Sequence, residues 1–511
     1  MKKKIYAFLF FMLLSLLVAP IVNLSSDKLS SKPQNVAWWD SSVLYNMDFA
    51  LPLLGELYYS LGISLSPEKV VIGRDGWLFL GDEFAHSISA KRVGATSASE
   101  PLLNKVTDST NTWDAWFKKN GVKAYRVIIG PDKDTIYPEL IPKWAAHASL
   151  SLTDALIRKA SPDLYINPTE ALLRDKEKFS TPLYYKADTH WNSLGAWIAF
   201  MQLSDNLAQT QPEIVWPDRN INNSLSAADR PGGDLANFQR IEDYFTDHEV
   251  ILNAFSKNPI PIEKYDFATG KLLFSGGNSN IGASKTPILV KSEKALNHKK
   301  VLWLRDSFGS AMSPFMAATF TETLQLHHAS ANPELLAKLI RDYKPDYVFV
   351  TTVERDSLDT YFNSFPPMSI SDSRSNFLPV AHSSEFRLND FLVSDEPDTY
   401  RVTGIDPYVV FKLSRPVQPA AAGQIAFDIS CNTNSDKIPV QIFWRTQNTD
   451  FIESNSVYFS ANKGITSLDI SVNPAWAKSA EIVEIRFDLV SPSECPTAKI
   501  KNLDLGVTQA P

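Results

Sequence analysis

Residues 301–315 constrain the fold of this chain more than any other segment. An apolar, β-favouring run at 301–304 leads within two residues into Asp306 and Ser307, and Gly309 opens a stretch of small and apolar residues that suits a helix. A serine on such a strand-to-helix turn lies at the carboxyl end of a buried strand, beside the free N–H groups of the next helix. The segment therefore predicts an α/β sheet with Ser307 as a candidate nucleophile at its edge.

A serine needs a base to become a nucleophile, and Asp188 and His190 form the best candidate pair. An aspartate two residues before a histidine can bind one imidazole nitrogen and leave the other for a serine hydroxyl. We predict Ser307 as the nucleophile, His190 as the general base and Asp188 as the residue that orients His190. Asp306 fits the orienting role poorly because it is the immediate neighbour of Ser307. The alternative is a structural serine and a histidine that only packs at an interface.

Strand and helix patterns alternate between residues 300 and 351. Predicted strands at 301–304, 323–327 and 346–351 are separated by predicted helices at 310–318 and 333–343. Because sequential strands joined by helices pair in parallel, this alternation favours a parallel sheet covered by helices.

Three upstream segments complete the predicted domain. Residues 70–80 contain two β-rich runs around Gly-Arg-Asp-Gly, which predicts a hairpin. Residues 122–129 predict a buried strand, and the Gly-Pro-Asp-Lys that follows it occupies the place where α/β folds bind ligands. Residues 205–300 are rich in Asn, Asp, Ser and Pro, and we expect an insertion that decorates the site rather than regular core.

The C-terminal part changes from alternating elements to short strands. From about residue 385 to residue 511, apolar and polar residues alternate in runs without helices between them, which predicts a β-sandwich. Its two cysteines, Cys431 and Cys495, are the only ones in the chain, and in an exported protein such a pair most often forms a disulfide. Two buried free thiols are the alternative. Trp444, Tyr458 and Trp476 are candidates for sugar stacking, with burial in the core as the alternative.

The N-terminus predicts export. Three lysines precede an apolar run at residues 5–22, which is close to the ~20 residues that a bilayer requires and longer than the ~7–15 of a usual signal-peptide core. Lysines at this end favour a cytoplasmic N-terminus with the remainder translocated. We predict an uncleaved transmembrane anchor, with a cleaved signal peptide as the alternative. The predicted domains are the anchor (1–25), a tether or entry segment (26–64), the α/β domain (65–384) and the β-sandwich (385–511).

Composition excludes other classes of protein. A hydrophobic fraction of 44% and a charged fraction of 21% are ordinary globular values, so the chain is not a disordered protein. The net charge of −7 leaves no broad basic surface, so we expect no nucleic acid partner. His327 and His328 are adjacent on a predicted strand and would point to opposite faces, so we expect no metal site there.

Four motifs together resemble the alginate O-acetyltransferase family of the AlgX/AlgJ type, which has an SGNH-hydrolase-like domain. They are Asp-Thr-His-Trp at 188–191, Arg-Asp-Ser-Phe-Gly at 305–309, Gly-Arg-Asp-Gly-Trp-Leu-Phe at 73–79 and Pro-Asp-Tyr-Val at 345–348. The resemblance covers roughly residues 65–360. It implies a flavodoxin-like sheet that is circularly permuted relative to ordinary SGNH esterases, because the Asp-x-His motif precedes the serine. Arg305 departs from the usual SGNH pattern, which has a glycine there.

The resemblance also implies an activity. It implies a periplasmic polysaccharide O-acetyltransferase that works through an acetyl-serine, needs no cofactor, is held at the inner membrane by its N-terminal helix, and receives acetyl groups from a membrane-bound O-acyltransferase. The glycan acceptor is an exopolysaccharide or another cell-envelope glycan. The sandwich is similar in position to a carbohydrate-binding module of some members. A carbohydrate acetylesterase with the same triad and a non-catalytic glycan-binding scaffold are the alternatives.

Further residues around these motifs are candidates for substrate contacts. They are Tyr185, Trp191, Arg305 and Arg355. For Tyr185 and Trp191, packing in the core or at the rim of the site is the alternative.

Overall fold

Two compact units divide the chain. The computed structural model describes residues 2–25, 37–221, 225–257, 259–374, 377–394, 396, 398–431, 437–490, 493 and 495–508. The first unit comprises Met1–Thr107, Val122–Ala331 and Lys344–Phe362, and the second comprises Asp108–Gly121, Asn332–Tyr343 and Asn363–Pro511. Residues 26–36 of the predicted tether lie outside the described residues. The predicted domain limits stay predictions.

The described residues form fourteen α-helices and twenty-three strands. The helices are α1 (Lys2–Ser25), α2 (Ser41–Leu44), α3 (Leu51–Ser60), α4 (Ser87–Val93), α5 (Glu100–Lys119), α6 (Lys133–Ile136), α7 (Leu152–Lys159), α8 (Thr169–Lys176), α9 (Ser193–Ala208), α10 (Asp234–Phe238), α11 (Asn253–Ser256), α12 (Phe308–Thr319), α13 (Pro333–Tyr343) and α14 (Pro474–Lys478). The strands of the first unit are β1 (Val70–Ile72), β2 (Leu78–Leu80), β3 (Ala124–Gly130), β4 (Tyr165–Ile166), β5 (Leu225–Pro231), β6 (Thr246–Leu252), β7 (Pro261–Asp266), β8 (Leu272–Gly277), β9 (Ile288–Lys291), β10 (Asn297–Arg305), β11 (Phe320–Leu326) and β12 (Tyr347–Val353). The strands of the second unit are β13 (Ile370–Ser371), β14 (Phe377–Asn389), β15 (Phe391–Val393), β16 (Thr399–Val402), β17 (Tyr408–Val417), β18 (Gln424–Cys431), β19 (Lys437–Thr446), β20 (Ser456–Asn462), β21 (Gly464–Asp469), β22 (Ile482–Leu489) and β23 (Thr497–Thr508).

The main sheet of the first unit has the strand order β4-β3-β12-β10-β11-β9-β7-β8. Strands β4, β3, β12, β10 and β11 pair in parallel, which confirms the predicted α/β sheet. Strand β10 lies between β12 and β11, and its last residues are completely buried. Because parallel strands are covered on both faces, residues 301–304 of β10 form a continuous apolar run rather than an alternating one. Its carboxyl end therefore delivers the following turn to the middle of the sheet edge.

Helices α8, α9 and α12 share one hydrophobic core with this sheet. Trp303 of β10 and Phe349 of β12 belong to the same buried cluster as Trp197 of α9 and Phe315 of α12. The rings of Trp197 and Phe315 meet edge to face, with centroids 5.1 Å apart. Residues 193–208 and 308–319 are apolar on the face turned to the sheet, so burying that face stabilises both helices against it.

Residues 205–300 form more regular structure than we predicted. Strands β9, β7 and β8 extend the main sheet by antiparallel pairing beyond β11, so this region is not only an insertion. Their pattern was hard to recognise because β8 is almost entirely exposed and alternates weakly. Strands β5 and β6 form a separate hairpin. The predicted hairpin at 70–80 is confirmed as the antiparallel pair of β1 and β2.

The second unit contains the predicted β-sandwich. One layer is built around β21, β18 and β23 and the other around β17, β22 and β19, while β14 pairs with β23 at its start and with β17 at its end. The two layers enclose a common core, in which the rings of Phe427 on β18 and Phe487 on β22 lie 5.0 Å apart. Trp444 and Trp476 are completely buried in this core, whereas Tyr458 is exposed.

Helix α1 is the one described helix that is long and apolar enough to cross a membrane, over Lys3–Ser25. A signal sequence at an N-terminus meets the same criteria. This helix therefore agrees with both the predicted anchor and its alternative.

The predicted pairing of Cys431 with Cys495 is confirmed, because the two residues form a disulfide that joins the end of β18 to the segment before β23. Replacing both cysteines by alanine should cost the sandwich about 4 kcal/mol in the chain-entropy account of a loop of 64 residues. Hydrogen exchange followed by mass spectrometry should show faster exchange in β18 and β23. Dithiothreitol should accelerate exchange in the wild type but not in the double variant, and equal exchange in both proteins without reductant would contradict a stabilising role.

Candidate functional site

A tight turn between β10 and α12 presents Ser307. Ser307 is exposed and occupies the N-cap position of α12, with helical backbone angles of φ −66° and ψ −25°. The buried carboxylate of Asp306 accepts hydrogen bonds from the N–H of Phe308 at 2.8 Å and from the N–H of Val353 at 2.6 Å. Asp306 thus fastens the turn both to the new helix and to the neighbouring strand β12. The Asp306 carboxylate thus accepts hydrogen bonds from backbone N–H groups. This agrees with the prediction that Asp188, and not Asp306, orients His190.

Arg305 and Gly309 pack against each other on the buried side of the same turn. Arg305 is completely buried, and its guanidinium donates to the side-chain oxygen of Gln325 and to the carbonyl oxygens of Ile281 and Gly282. A Cβ atom on Gly309 would lie 2.6 Å from the Arg305 side chain, so a glycine is required where the helix crosses it. Burial lowers the pKa of Arg305 to about 10. Because all these donors serve the protein, we do not retain Arg305 as a substrate-binding residue.

The Asp188–His190 segment forms a second turn that ends at helix α9. Tyr184 and Trp191 bridge across it, and Asn192 caps the helix by accepting from the N–H groups of Leu194 and Gly195. The turn is therefore closed on one side by a β-bridge and on the other by a helix N-terminus, which limits the positions that its side chains can take.

The two turns bring the predicted triad together. His190 Nε2 lies 2.7 Å from Ser307 Oγ, and His190 Nδ1 lies 2.6 Å from Asp188 Oδ1. The His190 backbone N–H also donates to Asp188 Oδ1, at 3.1 Å. These are hydrogen-bond distances in a continuous chain from carboxylate to imidazole to hydroxyl. The geometry is that of an acyl-transfer triad, in which one imidazole nitrogen is held and the other faces the serine.

The electrostatics of the pair follow from this geometry. Burial lowers the pKa of His190, but the hydrogen bond and charge of Asp188 raise it, and the net result is a pKa above the ordinary 6.5. Burial raises the pKa of Asp188, and the opposing interaction with His190 brings it down to about 2. Asp188 is consequently ionised at every physiological pH. It stabilises a proton on the imidazole, as a group that orients a general base must do.

The β5–β6 hairpin covers the far side of Asp188, and the sequence did not identify its role. Arg230 donates to Asp188 Oδ2 at 3.4 Å, and its guanidinium carbon lies 4.1 Å from the ring centre of Tyr185. A Cβ atom on Gly233 would lie 2.0 Å from the Asp188 carboxylate, so only glycine permits this approach. The Pro-Gly-Gly at 231–233 was the available signal. Asp188 therefore sits between an imidazole and a guanidinium.

Lys133 supports the turn from inside the protein. It is buried, and its ammonium donates to the carbonyl oxygens of Tyr185, Lys186 and Asp188 at 3.0, 3.1 and 2.7 Å. Burial lowers the pKa of Lys133 to about 8, although carboxylates including that of Asp188 act in the opposite direction. The sequence predicted that the segment after β3 binds a ligand. In the structure, the Lys133 side chain of that segment instead donates to backbone carbonyls of the protein.

The remaining candidates for substrate contacts lie at different depths. Trp191 is buried and donates from Nε1 to the carbonyl of Phe308 at 2.9 Å, so it packs between the two turns, and we do not retain it as a substrate-binding residue. Tyr185 is also buried, with its hydroxyl donating to Glu249. Arg355 pairs with Asp132 and lies over the ring of Phe308, with 6.0 Å between guanidinium carbon and ring centre. Arg355 thus lies beside Phe308, the residue that follows Ser307.

Asp188, His190 and Asp234 each place one potential metal ligand within 4.8 Å of the others. All three are already engaged, since Asp188 and His190 bind each other and Asp234 accepts from the N–H and hydroxyl of Thr189 at 2.8 and 2.6 Å. These contacts account for the cluster without an ion.

Comparison with known proteins finds a family model that resembles part of this chain. Residues 70–270 match the family model described as an SGNH hydrolase-like domain, acetyltransferase AlgX. This range includes Asp188 and His190 but ends before Ser307.

Several relatives carry the name probable alginate O-acetylase AlgJ. The protein from Pseudomonas syringae pv. tomato is 27% identical over 249 residues, which are 47% of this chain and 59% of that protein. The protein from Pseudomonas aeruginosa is 30% identical over 213 residues, which are 39% of this chain and 50% of that protein. The chain therefore spans between half and three fifths of the length of these relatives.

Among solved structures, the O-acetyltransferase domain of Pseudomonas putida AlgJ is 17% identical and has a TM-score of 0.36 over 57% of this chain and 92% of that chain. A likeness of that size adds nothing to the sequence match. The family model and the AlgJ relatives agree with each other and with the motifs at 73–79 and 188–191. Through this part of its sequence, the chain is similar to the SGNH hydrolase-like domain of the AlgX model and to the AlgJ proteins.

Proposed function

We propose that this protein is a periplasmic polysaccharide O-acetyltransferase that carries the acetyl group on Ser307. The observation that carries the proposal is the hydrogen-bonded series Asp188–His190–Ser307 at the edge of the sheet. Similarity of residues 70–270 to the acetyltransferase AlgX model supports acetyl transfer as the reaction, and the names of the AlgJ relatives support a polysaccharide as the acceptor.

The first half-reaction loads the serine. His190 Nε2 takes the proton of Ser307 Oγ as that oxygen attacks the carbonyl carbon of an acetyl ester, and the carbonyl oxygen becomes an oxyanion. When the intermediate collapses, the bond to the leaving group breaks and His190 gives its proton to the departing oxygen. Asp188 stabilises the imidazolium during this step because its carboxylate remains ionised.

The second half-reaction repeats these steps with a sugar. A sugar hydroxyl loses its proton to His190, attacks the acetyl-serine, and leaves as the O-acetylated sugar, while Ser307 regains the proton. The Ser307 backbone N–H is the donor that we assign to the oxyanion. The N–H of Phe308 is already bound to Asp306, so it is not available without breaking the turn. Loss of one such donor typically costs ~3–4 kcal/mol of transition-state stabilisation.

The N-terminal helix suits a protein that works at the outer face of the inner membrane. A helix over Lys3–Ser25 is long enough to anchor the chain, and the preceding lysines favour export of everything after it. In this proposal the acetyl donor is a membrane-bound O-acyltransferase, and the protein passes the group from that partner to the glycan. A cleaved signal peptide would leave the same chemistry on a soluble periplasmic protein.

Hydrolysis is the second candidate reaction. Ser307 is exposed and the His190 side chain is 27% accessible, so water can approach the same imidazole that would activate a sugar. A carbohydrate acetylesterase would use the same three side chains with water as the acceptor.

Replacing Ser307 by alanine should abolish the acetyl-enzyme and reduce turnover by at least about 10⁴-fold, because the nucleophile is removed. The full-length protein in detergent is incubated with 4-nitrophenyl acetate and oligosaccharides, and mass spectrometry follows both protein and sugars. Acetylated sugar in the wild type indicates transfer, whereas free acetate alone indicates an esterase. Ser275→Ala, an exposed serine on β8, is the matched control and should behave as wild type. Equal turnover in Ser307→Ala would refute the triad.

Activity should rise with pH through the pKa of His190, because only the neutral imidazole can accept the serine proton. Since Asp188 raises that pKa above 6.5, the midpoint for the wild type should lie above 6.5. In Asp188→Asn the burial remains and the carboxylate is lost, so the midpoint should move to lower pH while the maximal rate falls about 10⁴-fold.

Rates of 4-nitrophenyl acetate hydrolysis between pH 5 and pH 9 test this expectation. Asp205→Asn, an exposed carboxylate on α9, serves as the control and should keep the wild-type profile. A midpoint that stays in place in Asp188→Asn would show that Asp188 does not act on His190.

A further inference from the structure

A pocket beside the triad has no role in the steps described above. It has a volume of about 530 Å³, within the ~300–1,000 Å³ of pockets that hold small molecules. The start of α9, the end of β6, helix α11, the segment after β8 and one face of α12 form its walls. We call it the α12 pocket. Every described residue in its walls belongs to the first unit.

The α12 pocket begins one helical turn from the candidate nucleophile. Ala311 lines it and lies four residues after Ser307, whose backbone is already helical, so the two side chains share a face about 6 Å apart along the helix axis. Ser193 lines the same pocket three residues after His190. The pocket therefore lies about one helical turn from Ser307 and close in sequence to His190.

The walls combine apolar surface with a few hydrogen-bonding groups. Phe255 is half-buried and offers an aromatic ring, with its centroid 4.9 Å from that of Phe315. Ser193, Ser279 and Asn280 supply hydroxyl and amide groups at the accessible edge. A sugar ring has apolar C–H faces and a rim of hydroxyls, so a wall of this kind complements it.

The charge of the pocket distinguishes among sugars. Glu249 is the one charged residue among its described lining residues, and none of those residues carries a positive charge. Glu249 is held by the hydroxyls of Tyr185 and Ser193, and the nearest guanidinium, that of Arg230, lies 3.9 Å from Glu249 and also binds Asp188. A uronate that entered this pocket would place its carboxylate near that of Glu249, and no described lining residue would supply a cation to pair with it. The repulsion and the unpaired charge both disfavour uronate binding.

We propose that the α12 pocket is the acceptor subsite and that it binds an uncharged sugar residue rather than a uronate. This inference rests on the proposed transfer function, and it narrows the acceptor to a neutral polysaccharide. It thereby separates this chain from relatives whose names refer to alginate, a polymer of uronates.

A competition between acceptors tests the inference without any variant. The full-length protein in detergent receives 4-nitrophenyl acetate together with neutral mannan oligosaccharides and oligomannuronates of equal length. We expect the kcat/KM for neutral acceptors to exceed that for oligomannuronate by at least about tenfold. Equal use of both acceptors, preference for the uronate, or an acetyl-enzyme that transfers to neither acceptor would overturn the inference. Absence of any Ser307-dependent acetyl-enzyme would instead refute the proposed function.

A charge placed in the pocket gives an independent test. Asn280 is exposed at the pocket edge, and Asn280→Lys should shift the preference toward oligomannuronate about tenfold by supplying the missing cation. Asn448→Lys makes the same change at an exposed turn of the second unit and should leave the preference unchanged. An equal shift in both variants, or no shift in Asn280→Lys, would contradict the assignment of the pocket.

A binding measurement on a variant that cannot turn over tests the acceptor subsite separately from the proposed acetyl transfer. Saturation-transfer NMR on Ser307→Ala should detect the neutral oligosaccharide and not the oligomannuronate, whether or not the wild type transfers acetyl groups. Saturation-transfer signals from a long-chain acyl ester, with none from the oligosaccharide, would reassign the pocket to an acyl chain and overturn the inference.

Discussion

The contact between His190 and Ser307 depends on two turns from distant parts of the chain arriving at one edge of a sheet. Strand β10 is buried between two parallel neighbours, so the turn after it has little freedom, and the Asp306 carboxylate fixes it to β12. The other turn rests on the ammonium of Lys133, which binds three backbone carbonyls. A shift of about 1 Å in either turn would break a 2.7 Å hydrogen bond, so the rigidity of both supports is part of the chemistry.

Side chains of alternating charge extend from this contact toward the α12 pocket. Asp188 lies between the imidazole that it orients and the guanidinium of Arg230, which holds its second oxygen. Arg230 in turn reaches toward Glu249, whose carboxylate lines the α12 pocket. The hairpin that positions Arg230 therefore links the orientation of the base to the surface on which we place the acceptor. Residues 225–252 therefore have two roles: Arg230 holds the Asp188 carboxylate of the triad, and Glu249 lines the α12 pocket.

Much of the site could be predicted because its information is local. The apolar run before Ser307 and the Asp-x-His spacing are short patterns whose geometry follows from strand, turn and helix sterics. Arg230 and Lys133 could not be found in this way, because a buried lysine or arginine is indistinguishable in sequence from an exposed one. The antiparallel strands β7 and β8 were missed for a related reason. Exposed antiparallel strands lack the apolar run that identifies a buried parallel one.

The central claim is that His190 activates Ser307, and selective labelling by a fluorophosphonate tests it most directly. The second-order rate of modification should fall at least about 10³-fold in His190→Ala, and peptide mapping of the wild type should find the label on Ser307. Circular dichroism would confirm that the variant is folded. Labelling of Ser307 at the same rate in both proteins, or a wild type that is not labelled at Ser307 at all, would contradict the account.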